Sequence, residues 1–176
     1  MIKKILLVLA AAVAGILIYA STKPDTFRVE RSTLIQAPPQ KIFPHINDLH
    51  QWGAWSPWEK MDPNMKRTFG GATSGKGAAY AWEGNKQVGS GSMEIVDSVP
   101  PSKIVLQLHF LKPFEGRDTT EFTLQPEGKA TKVTWSMYGP TQFIGKVMCV
   151  FMSMDQMIGK QYETGLSNLK AIAEKR

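Results

Sequence analysis

Residues 31–58 read RSTLIQAPPQKIFPHINDLHQWGAWSPW, and this stretch decides how the fold begins. Its first part alternates and is rich in β-branched residues, as expected of a strand, and it stops at Ala37-Pro38-Pro39. Two prolines are well suited to open a helix, in which Ile42, Phe43 and Ile46 share one side. The stretch therefore predicts a strand that is followed directly by a short amphipathic helix.

Three tryptophans, Trp52, Trp55 and Trp58, end this stretch. Trp52 and Trp55 are spaced i, i+3 and share a face if they form a second short helix. Trp58 follows the break at Ser56-Pro57 and need not share that face. Such rings can line the opening of a cavity, where each indole N–H donates to a ligand or a carbonyl, or they can fill the end of a sheet as core. The sequence leaves both interpretations open.

Residues 66–137 change to short strands separated by turns. Turn signals occur at Gly84-Asn85, Pro100-Pro101 and Glu127-Gly128-Lys129. Strands so close together in sequence pair as antiparallel neighbours. Alternation with period two then separates an inward from an outward face. The residues predicted to face inward are Tyr80, Trp82, Met93, Ile95, Ile104, Leu106, Leu108, Phe110, Phe122, Leu124, Val133, Trp135 and Met137.

Residues 143–172 carry apolar side chains at every third or fourth position, which is typical of a long amphipathic helix. Thr141 is suited to cap its start, and a break is expected near residues 153–159, where Ser153 or Asp155 could cap a second segment. A continuous helix of about thirty residues would be about 45 Å long and would cross the sheet. Methionines in this segment suit either a variable ligand surface or the filling of gaps in a core. They are Met148, Met152, Met154 and Met157.

The first 22 residues have a different composition from the rest of the chain. MIKK precedes the uncharged run ILLVLAAAVAGILIYA, a pattern typical of a signal peptide or an uncleaved signal anchor. Cleavage after Ala20 would place the bulky Ile18 where a small residue is preferred, so the sequence favours an anchor. We expect a membrane anchor or signal segment over 1–22 and one domain over 23–176. The short N-terminal flank favours an extracytoplasmic domain, and secretion after cleavage near Ala20 is the alternative.

Charge and motifs exclude several functional classes. The net charge is +6, but the basic residues are scattered rather than clustered on one element, so nucleic-acid binding is not expected. None of the HExxH, CxxC, GxSxG or EF-loop spacings occurs, so the sequence predicts no metal site and no catalytic nucleophile motif. We expect no cofactor.

Candidate acid–base groups are also hard to assemble. His45, His50 and His109 are predicted to lie in solvent, and Glu83 and Glu94 alternate with inward residues and should face outward. A cyclisation or dehydration needs an inward acid or base, and the pattern identifies none. The sequence therefore predicts no catalytic residue.

Cys149 and Arg31 are the remaining candidate functional residues. Cys149, the sole cysteine, lies beside the apolar stripe and is interpreted as an inert thiol. Arg31 either shares the inward face with Val29 and Thr33, where it would pair with a ligand carboxylate or a buried acid, or lies in solvent at the sheet edge.

Three segments carry a resemblance to a known superfamily: residues 31–58, AWEGNKQVGSGSMEI at 81–95 and MIGKQYETGLSNLKAIAE at 157–174. Over residues 27–175 the chain resembles the START-like, helix-grip superfamily (SRPBCC), in its polyketide cyclase/dehydrase-like branch. The resemblance implies an α+β fold, in which a curved antiparallel sheet of about six or seven strands wraps a long C-terminal helix. It also implies two short helices after the first strand and an internal apolar cavity.

This resemblance does not imply one reaction, because the superfamily includes cyclases, lipid carriers and co-chaperones. We expect a membrane-tethered binder or carrier of a small hydrophobic molecule or lipid, held between the sheet and the C-terminal helix. The alternatives are a polyketide cyclase/dehydrase-like enzyme and an envelope protein-interaction or chaperone-like module. The sequence does not indicate an oligomeric state. The expected ligand-binding residues are Trp52, Trp55, Trp58, Tyr80, Trp82, Met93, Leu106, Leu108, Phe110, Phe122, Trp135, Met137, Met148 and Met152.

Overall fold

The computed structural model describes residues 1–175. Helix α1 is followed by a strand, two short α-helices on either side of a 3₁₀ helix, six further strands and two C-terminal helices. The elements are α1 (Ile2–Ser21), β1 (Thr26–Ile35), α2 (Pro39–Asn47), a 3₁₀ helix (Leu49–Ala54), α3 (Pro57–Met61), β2 (Lys66–Gly71), β3 (Ala78–Glu83), β4 (Ser90–Val99), β5 (Lys103–Lys112), β6 (Gly116–Glu127), β7 (Ala130–Pro140), α4 (Phe143–Met148) and α5 (Met154–Ala173).

The strands form one antiparallel sheet of seven strands in the order β1-β7-β6-β5-β4-β3-β2. The first strand pairs with the last, so that Thr26 lies opposite Pro140 and Ile35 opposite Thr131. The fold is therefore the predicted α+β helix-grip fold. Its core lies between the inner face of the sheet and the helices α2 and α5, and the side chains predicted to face inward along β4 to β7 are buried or half-buried there.

The C-terminal segment forms two helices rather than one. Helix α4 ends at Met148, and α5 begins at Met154 after Ser153, whose hydroxyl caps the helix in a capping box with Gln156. The predicted cap at Ser153 is confirmed, whereas the predicted cap at Thr141 is wrong because Gln142 precedes α4. Twenty residues make α5 about 30 Å long rather than 45 Å.

The break also corrects the predicted apolar stripe. Residues 143–153 do not continue the buried face of α5, because α4 ends at Met148 and α5 begins as a separate helix at Met154. The side chains of Phe143, Phe151 and Met152 are 53%, 73% and 50% exposed. Buried packing begins only within α5, where Tyr162 and Leu166 contact the core.

Arg31 ties α5 to the edge of the sheet. Its guanidinium donates to Asp155 at 2.6 and 2.9 Å and to Glu163 at 2.7 Å. Hydrogen bonds to Asp155 and then Glu163 raise the pKa of Arg31. Arg31 is thus paired with acids of its own chain, on the surface of the helix, rather than with a buried acid in the core.

Helix α1 is the one helix in residues 1–175 that is long and apolar enough to cross a membrane, with a mean hydropathy of 2.2. Nearly all of its side chains are exposed, but Ala20, near its C-terminal end, is fully buried. That end contacts α4, and Asp25, which follows it, pairs with Lys146 of α4. The C-terminal end of α1 is therefore fixed beside α4.

Candidate functional site

A cavity of about 160 Å³ lies between the inner face of the sheet and the helices α3 and α5. Its wall is almost entirely apolar and aromatic, with a small number of polar groups, which is the usual composition of a ligand pocket. The lining residues are Trp52, Ser56, Trp58, Glu59, Met65, Tyr80, Trp82, Val88, Met93, Leu108, Phe110, Thr120, Trp135, Met137, Ile158 and Tyr162.

Trp135 of β7 is the centre of the aromatic wall. Its ring stacks on Tyr162 with centroids 4.0 Å apart and on Phe122 at 4.9 Å, and the edge of Trp58 meets it at 5.8 Å. Helix α5 approaches this closely because it carries Gly165, where an added Cβ would lie 2.7 Å from Cζ3 of Trp135. The glycine therefore sets the position of the indole.

The three tryptophans of the opening stretch divide between core and cavity. Trp52 and Trp55 lie 4.8 Å apart and donate their indole N–H groups to the carbonyls of Ile46 and His45, both at 2.9 Å. Trp55 is fully buried and does not line the cavity, whereas Trp52 is buried and lines it. Trp58 is half-buried and also lines it. Two of these N–H groups thus hold the 3₁₀ segment on α2.

One carboxylate lines the cavity, contrary to the prediction that no acid faces inward. The side chain of Glu59 in α3 is 9% exposed and accepts from Arg67 at 2.6 Å and from the hydroxyl of Tyr80 at 2.7 Å. Burial, followed by the hydrogen bond to Glu59, raises the pKa of Tyr80. Glu59 lies in a five-residue helix after a Ser-Pro break, where no periodic pattern assigns a side chain to a face.

Two residues of the wall also hold a polar atom without a partner. Within residues 1–175, Nε1 of Trp135 and Oγ1 of Thr120 are buried and make no hydrogen bond. Tyr162, on which the indole stacks, is buried beside Thr120, and burial raises the pKa of its hydroxyl. The mostly apolar wall therefore contains two residues, Trp135 and Thr120, whose side-chain polar atoms have no partner within residues 1–175.

Most of the predicted site residues line this cavity, but five do not. Trp55, Leu106 and Phe122 are fully buried in the core instead. Met148 lines a different cavity, and Met152 is half exposed and lines neither. The lining residues that the prediction omitted are Ser56, Glu59, Met65, Val88, Thr120, Ile158 and Tyr162.

A second cavity, of about 240 Å³, lies between α4 and the end of the sheet. Asp118 of β6 is half-buried there, and burial raises its pKa to about 6. Asp118 is a second carboxylate on the face predicted to be apolar. The other lining residues are Phe27, Pro113, Phe114, Glu115, Gly116, Pro140, Thr141, Gln142, Ile144, Gly145, Met148, Met154 and Met157.

The histidines lie outside both cavities. His45 contacts Gln51 at 2.8 Å, His50 stacks on Phe69 at 4.1 Å, and His109 contacts Glu115 at 3.2 Å. Among residues 1–175, no group of three His, Cys, Asp or Glu side chains is placed to hold a metal ion.

Comparison with known families agrees with this architecture. The family described as "Polyketide cyclase / dehydrase and lipid transport" matches residues 26–174. The chain belongs to this family. The match spans the sheet and both C-terminal helices, and it confirms the resemblance to the START-like, polyketide cyclase-like superfamily that the sequence indicates. No curated protein gives a significant match to the chain.

Solved structures share the fold of this polyketide cyclase/dehydrase-like chain at low sequence identity. Protein CV1439 from Chromobacterium violaceum is 17% identical with a TM-score of 0.58, over 88% of this chain and 100% of that one. Protein Ms6760 from Mycobacterium smegmatis is also 17% identical with a TM-score of 0.58, over 85% and 92%. The di-domain ARO/CYC BexL from the BE-7585A biosynthetic pathway is 13% identical with a TM-score of 0.63, over 91% of this chain and 54% of that one.

Proposed function

We propose that this protein binds a small apolar molecule with one hydrogen-bond acceptor in the cavity between the sheet and α5. The observation that carries the proposal is the indole of Trp135, which lines the cavity and whose Nε1 has no partner within residues 1–175. Burial of an unpaired donor costs about 1–3 kcal/mol. An acceptor on the bound molecule would remove this cost, while the aromatic wall would hold its apolar body.

The volume of the cavity limits the size of the ligand. At about 160 Å³, the cavity resembles in size the engineered apolar cavity of roughly 150 Å³ that binds benzene in another protein. A single ring with short substituents therefore fits without rearrangement. A longer molecule would require the half-buried Trp58, Val88 and Ile158 to move.

Membrane tethering completes the proposed function. The 20 residues of α1 give a length of about 30 Å, which matches the hydrocarbon core of a bilayer. We assign residues 1–22 to the anchor and 23–176 to the binding domain on the extracytoplasmic side; residue 176 lies outside the described residues. The protein would then take up or deliver its ligand beside the membrane.

The hydrogen bonds of the Glu59 carboxylate favour a structural role for it, and therefore binding over catalysis. Glu59 is the carboxylate that lines the first cavity, and each of its oxygens accepts a hydrogen bond from its own chain, one from Arg67 and one from Tyr80. These two bonds make Glu59 a buried link between α3, β2 and β3, which is a structural role that needs no substrate.

A binding experiment tests the proposal directly. The full chain, purified in a mild non-ionic detergent, is analysed by native mass spectrometry for a co-purified molecule and by thermal shift with 4-methylphenol and toluene. We expect 4-methylphenol to raise the melting temperature more than toluene, because its hydroxyl can accept from Trp135. Val88→Trp, which fills the cavity, should abolish the response, whereas Val99→Trp, on the exposed end of β4, should retain it. Equal responses in these two variants, or no response to either compound and no co-purified molecule, would contradict the proposal.

A further inference from the structure

Residues 143–152 form an apolar surface that the core does not use. The side chains of Phe143, Ile144, Phe151 and Met152 are between 41% and 73% exposed. The only charge within the segment belongs to Lys146, and the segment contains no acidic residue. Exposed apolar patches of this kind mark sites of contact with a protein, a ligand or a membrane.

The position of α1 indicates what covers this surface. Its C-terminal end is packed beside α4, as the buried Ala20 and the pair between Asp25 and Lys146 show. Tyr19 and Lys23 lie at the same end, and the Lys23 ammonium stands 4.3 Å from the ring of Tyr19. An aromatic residue and a lysine at the end of an apolar helix are typical of the membrane–water interface. If α1 crosses the bilayer, α4 therefore lies at the surface of the bilayer.

The second cavity opens within the same surface. Phe114 and Ile144 line it and are 48% and 41% exposed, and Met148 lines it from α4. These residues come from the β5–β6 turn and from α4, so that exposed apolar side chains surround the cavity on two sides. A bilayer that contacts residues 143–152 would also contact the mouth of this cavity.

We propose that residues 143–152 lie in the headgroup region of the bilayer beside α1 and open the second cavity to the membrane. The inference rests on the proposed tether, because it needs α1 to span the bilayer. Interfacial segments of this type bury their apolar face roughly 5–10 Å into the headgroup and acyl boundary. Phe143, Ile144, Phe151 and Met152 provide that face. The partner is the lipid bilayer, and a ligand that leaves it would meet the second cavity first.

The sole cysteine makes the inference testable without adding a labelling site. Cys149 lies within the segment and is partly exposed. The full chain is labelled at Cys149 with an environment-sensitive fluorophore and reconstituted into vesicles of phosphatidylcholine and phosphatidylglycerol. Quenching is compared between a nitroxide on the lipid acyl chain near the headgroup and a water-soluble nitroxide. We expect the lipid-borne quencher to be the more effective of the two.

Two variants provide the controls. A Lys129→Cys label in a Cys149→Ser background keeps the same anchor but reports from the β6–β7 turn, at the other end of β7 from Pro140. This label should respond mainly to the water-soluble quencher. Replacement of Phe143 and Phe151 together by serine should weaken lipid-borne quenching at Cys149 without lowering the melting temperature, because both side chains are exposed.

Alkaline carbonate extraction of the vesicles separates the possible failures. If the chain resists extraction but Cys149 is quenched like the Lys129→Cys control, the inference is wrong and the tether stands. Energy transfer between Cys149 labels on separate chains, without lipid quenching, would assign the surface to a second copy and also overturn the inference. If carbonate extracts the chain, the tether itself fails and the inference falls with it, whereas ligand binding in detergent remains a separate result.

Discussion

The rings of Trp135 and Tyr162 stack with their centroids 4.0 Å apart and their planes 12° apart. The stack joins the last strand to α5, and both residues line the first cavity. Trp135 also stacks on Phe122, which is fully buried and does not line that cavity. Trp135 thus has one stacking partner that lines the cavity, Tyr162, and one that belongs only to the core, Phe122. Comparing substitutions at Trp135 and Phe122 can therefore distinguish ligand contact from packing.

Trp135→Ala and Phe122→Ala should destabilise the protein similarly but differ in binding. Each removes a buried aromatic ring, which costs about 3–5 kcal/mol in the free energy of unfolding. Only Trp135→Ala enlarges the cavity and removes the free N–H, so it alone should change the thermal shift with 4-methylphenol. Chemical denaturation in mild detergent measures the stability of both. If both variants kept the wild-type binding response, Trp135 would have only a packing role.

The strands were predictable because their side chains alternate with a fixed period. Tyr80 and Trp82 on β3 are two residues apart, as are Trp135 and Met137 on β7, and all four line the cavity from the inner face that the sequence indicates. The fold and most of the sheet-borne part of the cavity wall follow from this pattern together with the turn signals.

The helical part of the wall was less predictable. Tyr162 and Ile158 belong to the predicted apolar stripe, but periodicity cannot distinguish a side chain that fills the core from one that borders a cavity. The apolar spacing runs through Phe151 in the sequence, but Phe151 does not share the buried face of α5, because Ser153 caps a new helix after it.

Glu59 was missed because its partners, Arg67 and Tyr80, are distant in the sequence and its short helix has no periodic pattern. Asp118 shares the period-two face of Phe122, so alternation along β6 could have assigned it inward.

Glu59→Gln should destabilise the protein by about 1–3 kcal/mol, since it replaces charge-assisted hydrogen bonds in a largely buried site. Gln can still accept from one neighbour, but Arg67 then loses its ionic partner. Chemical denaturation of the full chain in mild detergent measures the change. Glu83→Gln, on the exposed end of β3, is the matched control and should have little effect. If Glu59→Gln left the free energy of unfolding unchanged, Glu59 would have no structural role and would again be a candidate for acid–base chemistry.

Asp118→Asn should remove a pH dependence of stability in which the free energy of unfolding decreases as the pH rises. The folded pKa of Asp118 is raised by burial to about 6 from 3.8, so the folded state holds its proton more tightly than the unfolded state. The contribution of Asp118 to stability is fully present below pH 4 and is lost as the pH rises from about 4 to 6. Asp118→Asn should therefore stabilise the protein relative to the wild type at pH 7, by about 1 kcal/mol after solvent screening of this half-buried group, and this difference should disappear near pH 4.

Asp97→Asn provides a control with the opposite sign. A hydrogen bond from Lys103 lowers the pKa of Asp97, so this carboxylate contributes stability above its unfolded pKa and loses it as the pH falls. Its substitution should therefore destabilise at pH 7. Denaturation curves of both variants and the wild type between about pH 3 and pH 7 measure the differences, because the stabilisation by Asp97 is lost only below its unfolded pKa of 3.8. A constant difference between Asp118→Asn and the wild type across this range would show that Asp118 does not titrate there.

Gly165→Ala should close part of the first cavity by moving Trp135. An added Cβ would lie 2.7 Å from Cζ3 of Trp135 and 3.2 Å from Cδ of Pro57, so either the indole or α3 has to shift. Overpacking of this kind costs about 1–3 kcal/mol, although alanine is the better helix former. We expect a lower free energy of unfolding and a weaker thermal shift with 4-methylphenol. Gly53→Ala is the matched control, because its added Cβ meets nothing within 4 Å, and it should keep wild-type binding. If Gly165→Ala were as stable as the wild type and bound 4-methylphenol equally well, then Gly165 would not set the position of the indole, and the wall of the cavity would be free to adjust.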